Sequence, residues 1–262
     1  MMRGYRALQA AGWTFSIVPE LAVPAFATMC SLPKGSCPAG VSSVVSSVNT
    51  EVRRFGYLGR DYFLKEYFFL GWKKHLKLFR RGERLVRVAR QLTEKGFLTP
   101  RVVAIGTHGG NRRVVTEAVD NALDVWQVLY PDFQQQRGEV DDTFLYALGS
   151  TVGNLHRSGF CHGDLRWRNV LTRLDPEGWK FYFIDNDRTF WFRFRIPLRY
   201  RVKNLSQILF SGLLIGWQQG DWQVFLEGYF GSSGLRGQDF DKLVLKVEKH
   251  ANKRLELRQL RK

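Results

Sequence analysis

The residues of clearest chemical meaning are His162-Gly163-Asp164-Leu165-Arg166-Trp167-Arg168-Asn169, followed by Phe183-Ile184-Asp185. Asn169 stands five residues after Asp164, and Asp185 sixteen after Asn169. Between them, Asp175-Pro176-Glu177-Gly178 has the composition of a tight turn. Asn169–Leu174 and Trp179–Ile184 therefore read as two short strands of a hairpin, with three oxygen-bearing side chains gathered at its open end. A few hard oxygen ligands, with room left for water and phosphate oxygens, suit Mg²⁺ in a nucleotide site. The remaining carboxylate, Asp164, stands where it can accept a hydroxyl proton or orient an acceptor. Taken singly, Asp and Asn are ordinary turn residues; the ordered set carries the reading.

These residues need elements to hold them. Asp141-Asp142-Thr143 can cap a helix running to about Ser158, with Phe144, Leu145, Leu148, Val152 and Leu155 on one face and Gly159 at its end. Beyond Arg201 the pattern is helical again through Leu205, Ile208, Leu209 and Leu213, and later over Phe240–Leu260. The first half reads differently. Glu51–Tyr57 and Asp61–Phe68 form a hairpin joined at Leu58-Gly59-Arg60, and Val102–Ile105 and Arg113–Val119 are two more strands. One basic helix is expected from Trp72 to about Lys95, with Leu85, Val88, Ala89 and Leu92 on its apolar stripe and Gly96 closing it. Residues 1–40, with scattered Gly and Pro, give no readable pattern. The expectation is an α+β chain of two lobes: residues 1–118 a sheet with one helix, residues 119–262 helical and carrying the loop, with a hinge around Glu117–Asn121.

Composition bounds the partners. The chain of 262 residues has 40 Lys and Arg against 24 Asp and Glu, a net +16, while 44% of residues are hydrophobic and 14% aromatic. That content fills a core and excludes a disordered basic chain. Cys30, Cys37 and Cys161 are odd in number with no metal-type spacing, so the simplest compartment is a reducing one. Ser16–Leu32 is interrupted by Pro19, Glu20 and Pro24, and Ile208–Trp217 is short, so neither a leader nor a membrane span is expected. The charge excess calls for an anionic neighbour. Arg188, Arg193, Arg195, Arg199, Arg201 and Lys203 interleave with Phe190, Trp191, Phe192, Phe194 and Tyr200, a mixture that suits a glycolipid or a bilayer surface. The equally basic Lys242–Lys262 helix reads as a solvated face.

The set His-Gly-Asp-Leu-x-x-x-Asn with a later Asp resembles the catalytic loop and metal-binding Asp of the protein-kinase-like superfamily. Tyr62-Phe63-Leu64-Lys65 resembles its third strand, and Val114-Val115-Thr116-Glu117-Ala118 the strand leading into its hinge. Within the superfamily, Leu92-Thr93-Glu94-Lys95-Gly96-Phe97-Leu98-Thr99-Pro100-Arg101 is similar to a segment of the lipopolysaccharide core kinases, which act on Kdo and heptose. Phe183–Thr189 and Arg201-Val202-Lys203-Asn204-Leu205-Ser206-Gln207 are similar to that family as well. The resemblance covers roughly residues 41 to 215.

It implies ATP and Mg²⁺ as cofactors, with Asp164 catalytic and Arg166 beside it at the place of a phosphate-contacting Lys. Asn169 and Asp185 would hold the metal. Lys65 would pair with the α- and β-phosphates and with an acid, for which Glu83 is the candidate. Glu117 and Ala118 would hold the adenine edge, and Ser47 and Thr50 would line a phosphate-covering loop at Ser46-Ser47-Val48-Asn49-Thr50, where no Gly-x-Gly-x-x-Gly occurs. Gly163 replaces the Arg common in protein kinases, and Asn186-Asp187 replaces Phe-Gly. The implied reaction is γ-phosphoryl transfer to a sugar hydroxyl of the lipopolysaccharide inner core. The enzyme would be cytoplasmic and peripheral on the inner face of the inner membrane through residues 188–203, with nucleic acid not the expected partner. Two rivals share the features: a protein serine kinase or small-molecule phosphotransferase of this fold, and a non-catalytic basic RNA- or membrane-binding protein.

Overall fold

The computed structural model describes residues 4–68, 81–130 and 141–260. It divides into two compact units, residues 1–91 with 100–120, and residues 92–99 with 121–262. The expected helical turns over Trp72–Arg80 lie outside the described residues.

The first unit is a seven-stranded antiparallel sheet in the order β1-β2-β6-β7-β5-β4-β3. Its strands are β1 (Arg6–Ala10), β2 (Trp13–Ile17), β3 (Val41–Ser46), β4 (Thr50–Tyr57), β5 (Arg60–Tyr67), β6 (Val102–His108) and β7 (Asn111–Glu117). The opening hairpin falls in the stretch that sequence left unread. Its two-residue turn puts Ala11 and Gly12 at φ 46° and 79°, the left-handed pair that matches the twist of the strands. The central hairpin turns in the same way at Leu58 and Gly59, with Arg60 already in β5. Alternation on β5 sends Tyr62, Leu64 and Glu66 to one face and Phe63, Lys65 and Tyr67 to the other. The Tyr62 face packs with Trp13, Phe15, Ile17, Phe55 and Val115 against Phe26 of the Pro24–Ser31 helix. The Tyr67 face meets Leu85 and Ala89 of the Arg81–Glu94 helix.

A buried ion network lies on the Tyr62 face. The Arg113 guanidinium donates to Glu66 at 2.8 Å and to the carbonyls of Cys30 and Leu32 at 2.6 and 2.7 Å. Arg53 donates to Pro33 and Leu32 at 2.9 and 3.1 Å and lies 3.6 Å from both Glu51 and Glu66. Two arginines are thus matched by two carboxylates, and the surplus donors pin the strap after the Pro24–Ser31 helix. Removing one partner would strand a buried charge.

The second unit is helical: Val125–Leu129, Asp142–Arg157, Leu198–Leu214, Gln219–Ser233 and Gln238–Gln259. Asp141 caps the second of these by accepting from Phe144 N. A small sheet, β11-β10-β8, uses β8 (Leu123–Asp124), β10 (Val170–Asp175) and β11 (Gly178–Phe183), while β9 (Phe160–Cys161) pairs with β12 (Phe190–Trp191). The Gln219–Ser233 helix was not legible from periodicity, because Gly220, Gly228 and Gly231 read as breakers. Its glycine serves packing instead. A Cβ on Gly228 would sit 2.1 Å from the Tyr146 carbonyl oxygen, and one on Gly149 would sit 2.0 Å from that of Phe225. The two helices therefore cross with their backbones almost in contact. Gly149→Ala is expected to lower the unfolding free energy by about 1–3 kcal/mol, the usual cost of overpacking, as read by denaturant titration. An unchanged midpoint would contradict the close crossing.

Candidate active site

Leu165 and Trp167, both buried, anchor the 162–169 loop from below, with Trp167 edge-on to Trp217 at 4.9 Å. His162 does the rest of the local work. Its Nδ1 accepts from Asp164 N–H at 3.2 Å, so Nε2 carries the proton and donates to the Ile184 carbonyl at 2.9 Å. Burial lowers the pKa of this ring, against the opposing pull of the Ile184 bond and of the Asp185 and Asp164 charges. His162 is therefore a neutral strut between the loop and the strand that ends at Asp185.

The β10–β11 ladder sets Val170 opposite Phe183, and Ile184 N–H donates to the Asn169 carbonyl at 3.0 Å. Asn169 and Asp185 accordingly emerge from the same hairpin end. The Asn169 amide donates to the Asp164 carbonyl at 2.8 Å, which leaves its Oδ1 as the acceptor available for another group. Asp185 has left-handed backbone, φ 57° and ψ 43°, a conformation that a short polar side chain tolerates best. Among the described residues no three His, Cys, Asp or Glu side chains gather as a metal cage. An Asn oxygen and one carboxylate still form a hard donor pair suited to an ion that draws its other ligands from phosphate and water.

Asp164 is held from two sides. Arg166 grips it with Nε at 2.6 Å and Nη2 at 2.7 Å, and Gln207 Nε2 donates to Oδ1 at 2.9 Å. The Arg166 pKa is raised, first by this pairing and further by the charges of Asp164 and Asp185. The same guanidinium thus feels both carboxylates. Its side chain is 59% exposed.

Gln207 belongs to the Leu198–Leu214 helix, whose inner face clamps the loop. Gln207 Oε1 accepts from Leu165 N–H at 3.0 Å, Lys203 Nζ donates to Gly163 O at 2.7 Å, and Asn204 Nδ2 donates to His162 O at 2.5 Å. The fixed direction of the Asn204 amide makes its Oδ1 accept from His156 Nε2 at 3.0 Å, while His156 Nδ1 accepts from Tyr229 OH at 2.9 Å. In sequence, Asn204 and Gln207 stand out only by their likeness to a family, and Lys203 also as part of the basic-aromatic strip. Lys203, Asn204 and Gln207 at spacings of one and three, on a helix passing beneath the loop, supply the physical reason. Arg201, expected on the exposed basic-aromatic strip, is instead buried, whereas Phe190, Trp191 and Phe194 are exposed.

Gly163 is the tightest point of the loop. A Cβ there would meet Arg188 Cβ at 2.1 Å and its carbonyl oxygen at 2.3 Å. The chain beyond Asp185 folds directly over the loop, and no larger residue fits. Asn186 fixes that segment, donating to Phe183 O at 2.7 Å and Thr99 Oγ1 at 3.0 Å and accepting from Thr189 Oγ1 at 3.2 Å.

The first unit places its own candidates as follows. Lys65 lies on the helix-covered face of β5, in register with Val52 and Val114, its ammonium 5.2 Å from the Tyr67 ring. Among the described residues no ion pair between it and Glu83 is present. Leu85, Val88, Ala89 and Leu92 are buried on that helix, and Glu83 precedes Leu85 by two positions, about 200° round a helix, and is exposed. The Glu83 charge acts on Arg112. Glu117 N–H donates to Arg101 O at 3.0 Å, and its carboxylate lies 3.7 Å from Arg60 and 3.6 Å from Arg101. Ala118 N–H is taken by Asp61 O at 2.8 Å, so it does not serve as a free donor. The Ser47 and Thr50 hydroxyls lie 3.0 Å apart and close the β3–β4 turn on itself.

A sheet unit packed with the Pro24–Ser31 and Arg81–Glu94 helices, and a helical unit whose loop and short hairpin present Asp164, Asn169 and Asp185, define the protein-kinase-like class of fold. A family model for the lipopolysaccharide kinase (Kdo/WaaP) family matches residues 76–229, and the chain belongs to that family. The 3-deoxy-D-manno-octulosonic acid kinase of Pasteurella multocida is 27% identical over 153 residues, 53% of this chain and 59% of the relative. The lipopolysaccharide core heptose(I) kinase WaaP of Pseudomonas aeruginosa is 29% identical over 194 residues, 66% of this chain and 70% of the relative. The chain thus spans less than two thirds of the length of the first of these relatives. A solved structure of WaaP in complex with acyl carrier protein matches with a TM-score of 0.59 at 24% identity, over 80% of this chain and 87% of that one. At that identity the likeness is one of fold.

The buried imidazoles make stability depend on pH. Burial, and then the Arg201 charge, push the His156 pKa down to about 3, whereas in the unfolded chain it titrates near about 6.5. Below the higher value the unfolded state binds more protons, so stability falls as pH falls from about 6.5 toward about 3. In His156→Gln the unfolding free energy is expected to lose about one proton of slope across that window. An unchanged slope in chemical denaturation at stepped pH would contradict the neutral buried ring.

Proposed function

We propose that this chain is an ATP-dependent phosphotransferase acting on a sugar hydroxyl of the lipopolysaccharide inner core, a Kdo or heptose unit. The observation that carries the reading is the convergence of Asp164, Asn169 and Asp185 at one hairpin end, in a chain of the Kdo/WaaP family. Asp164 orients the acceptor hydroxyl and takes its proton, with Gln207 holding Oδ1 in place. Arg166 passes from Asp164 to the transferred phosphoryl group. Asn169 and Asp185 would hold Mg²⁺, which when bound supplies charge neutralisation on the phosphates. Lys65 is the proposed partner of the α- and β-phosphates. Catalysis is then positioning and electrostatics, as phosphoryl transfer requires.

The acceptor is an anionic glycolipid, and the exposed strip suits its surface. Phe190, Trp191 and Phe194 are 46%, 44% and 86% exposed, among arginines that suit headgroup phosphates. No described helix is long and apolar enough to cross a membrane. We place the enzyme at the cytoplasmic face of the inner membrane, bound peripherally through this strip.

The test is transfer from γ-labelled ATP to extracted lipopolysaccharide core, compared with a generic protein acceptor. Asp164→Ala should lower kcat by about 10²–10⁴-fold with circular dichroism unchanged. Retained turnover, or transfer to the protein acceptor alone, overturns the reading. Gln207→Leu should lower kcat by about 10–100-fold through misplacement of Asp164 while leaving the KM for ATP near its original value. A change in KM with kcat intact would contradict the positioning role.

A further inference from the structure

Away from the catalytic loop, four arginines line one recess of the second unit. Arg157 stands at the end of the Asp142–Arg157 helix, Arg195 beyond β12, Arg201 in the Leu198–Leu214 helix, and Arg236 beyond the Gln219–Ser233 helix. The recess encloses about 550 Å³, within the roughly 300–1,000 Å³ typical of small-molecule sites. Phe194 and Phe230 line it as well.

Its charge is one-sided. Arg195 pairs with Asp239 at 3.0 Å, and both side chains are more than half exposed. Among the described residues no carboxylate pairs with Arg157, Arg201 or Arg236. Arg201 matters most, because it is only 4% exposed. Nη1 donates to Tyr229 OH at 2.9 Å and to Ser233 O at 3.3 Å, and Nη2 donates to Ser233 O at 3.3 Å and His156 O at 3.5 Å. Nε is buried without a hydrogen-bond partner. These acceptors are neutral groups, and two of them are carbonyls at the C-terminal ends of the Asp142–Arg157 and Gln219–Ser233 helices, which offer partial negative charge of about half a unit each rather than a carboxylate. A guanidinium withdrawn from water without a full counter-ion is costly. Beside it, His156 is neutral and adds no compensation.

We propose that this recess is an anion site that takes a phosphate monoester carried on a sugar or lipid headgroup. A phosphate dianion offers several oxygens to several guanidinium forks at once, the geometry in which Arg outperforms Lys. Phe194 and Phe230 offer apolar faces to the ring or chain that bears the phosphate. The site is independent of phosphoryl transfer, since it uses none of Asp164, Arg166, Asn169 or Asp185. It adds a second contact for an anionic molecule at a place no catalytic residue occupies.

The test needs no turnover. Inorganic phosphate is titrated calorimetrically into the full chain, into Arg157→Ala/Arg236→Ala, and into Lys246→Ala/Lys253→Ala, which removes equal charge from the exposed face of the last helix. All four replaced side chains belong to exposed residues, so both variants should unfold like the parent. Phosphate affinity is expected to fall about tenfold or more in the arginine variant and to stay near the parent value in the lysine variant. A second arm uses phosphatidylcholine vesicles carrying phosphatidic acid, a monoester, against vesicles carrying phosphatidylglycerol, a diester. A preference for phosphatidic acid that disappears in the arginine variant supports a lipid-borne ligand. Equal binding of the two vesicles, with the phosphate result retained, supports a soluble phosphate ester. Absence of saturable phosphate binding by the parent, or equal loss in both variants, overturns the proposal.

Discussion

Asp164 and Asp185, which the proposed reaction brings to one phosphoryl group, come from segments some twenty residues apart, and a single neutral imidazole keeps them in step. The ring of His162 accepts a hydrogen bond from the backbone of Asp164 and donates one to the carbonyl of Ile184, the residue before Asp185. A charged ring could not accept on Nδ1, so burial that keeps it neutral is a condition for the geometry. The Asn169 side-chain bridge to the Asp164 carbonyl and the Ile184 backbone bridge to Asn169 then close a small circuit of hydrogen bonds. Side chains on so constrained a backbone are pre-placed, which is what a reaction governed by positioning needs.

The circuit is supported from beneath by a helix that spends polar side chains in the interior. Asn204 is fully buried, and Ser206 and Gln207 are buried with it. Each such group costs free energy unless it is satisfied, and the two amides are: Asn204 bonds both His156 and His162, and Gln207 bonds both Leu165 and Asp164. The first unit uses the same device with charge. Arg53 and Arg113 are matched by Glu51 and Glu66 under the strap that follows the Pro24–Ser31 helix. In both places buried polarity fixes a non-repetitive segment that apolar contacts alone would leave free to slide. Close backbone approach does the complementary task at Gly149, Gly228 and Gly163, where any side chain would collide.

The loop and its hairpin were legible in sequence because their chemistry depends on local spacing: five residues to Asn169, then a turn signal that returns the chain to Asp185. The strands around Lys65 and the apolar stripe of the Arg81–Glu94 helix were legible for the same reason, as regular periods. What failed to show has a physical pattern. The Ala11-Gly12 turn was lost because Ala at positive φ is no signal, and the Gln219–Ser233 helix was lost because glycine for close packing looks like glycine for flexibility. Glu83 was placed by residue type, and on its helix it is exposed. The clamp of Lys203, Asn204 and Gln207 depends on which helix face meets the loop, a tertiary fact that composition does not hold. Arg201 shows the limit of reading a charge run as one surface: its neighbours face water, whereas it lies inside.

The most direct measurement of the central claim is the protonation state of His162, by long-range nitrogen–carbon correlation NMR on the isotope-labelled chain. The account predicts a neutral ring with its proton on Nε2 and no titration across the physiological range, because Nδ1 is occupied by the Asp164 amide. A ring that is charged near neutrality, or that carries its proton on Nδ1, would contradict it, since the backbone bond that holds Asp164 in place would then be missing.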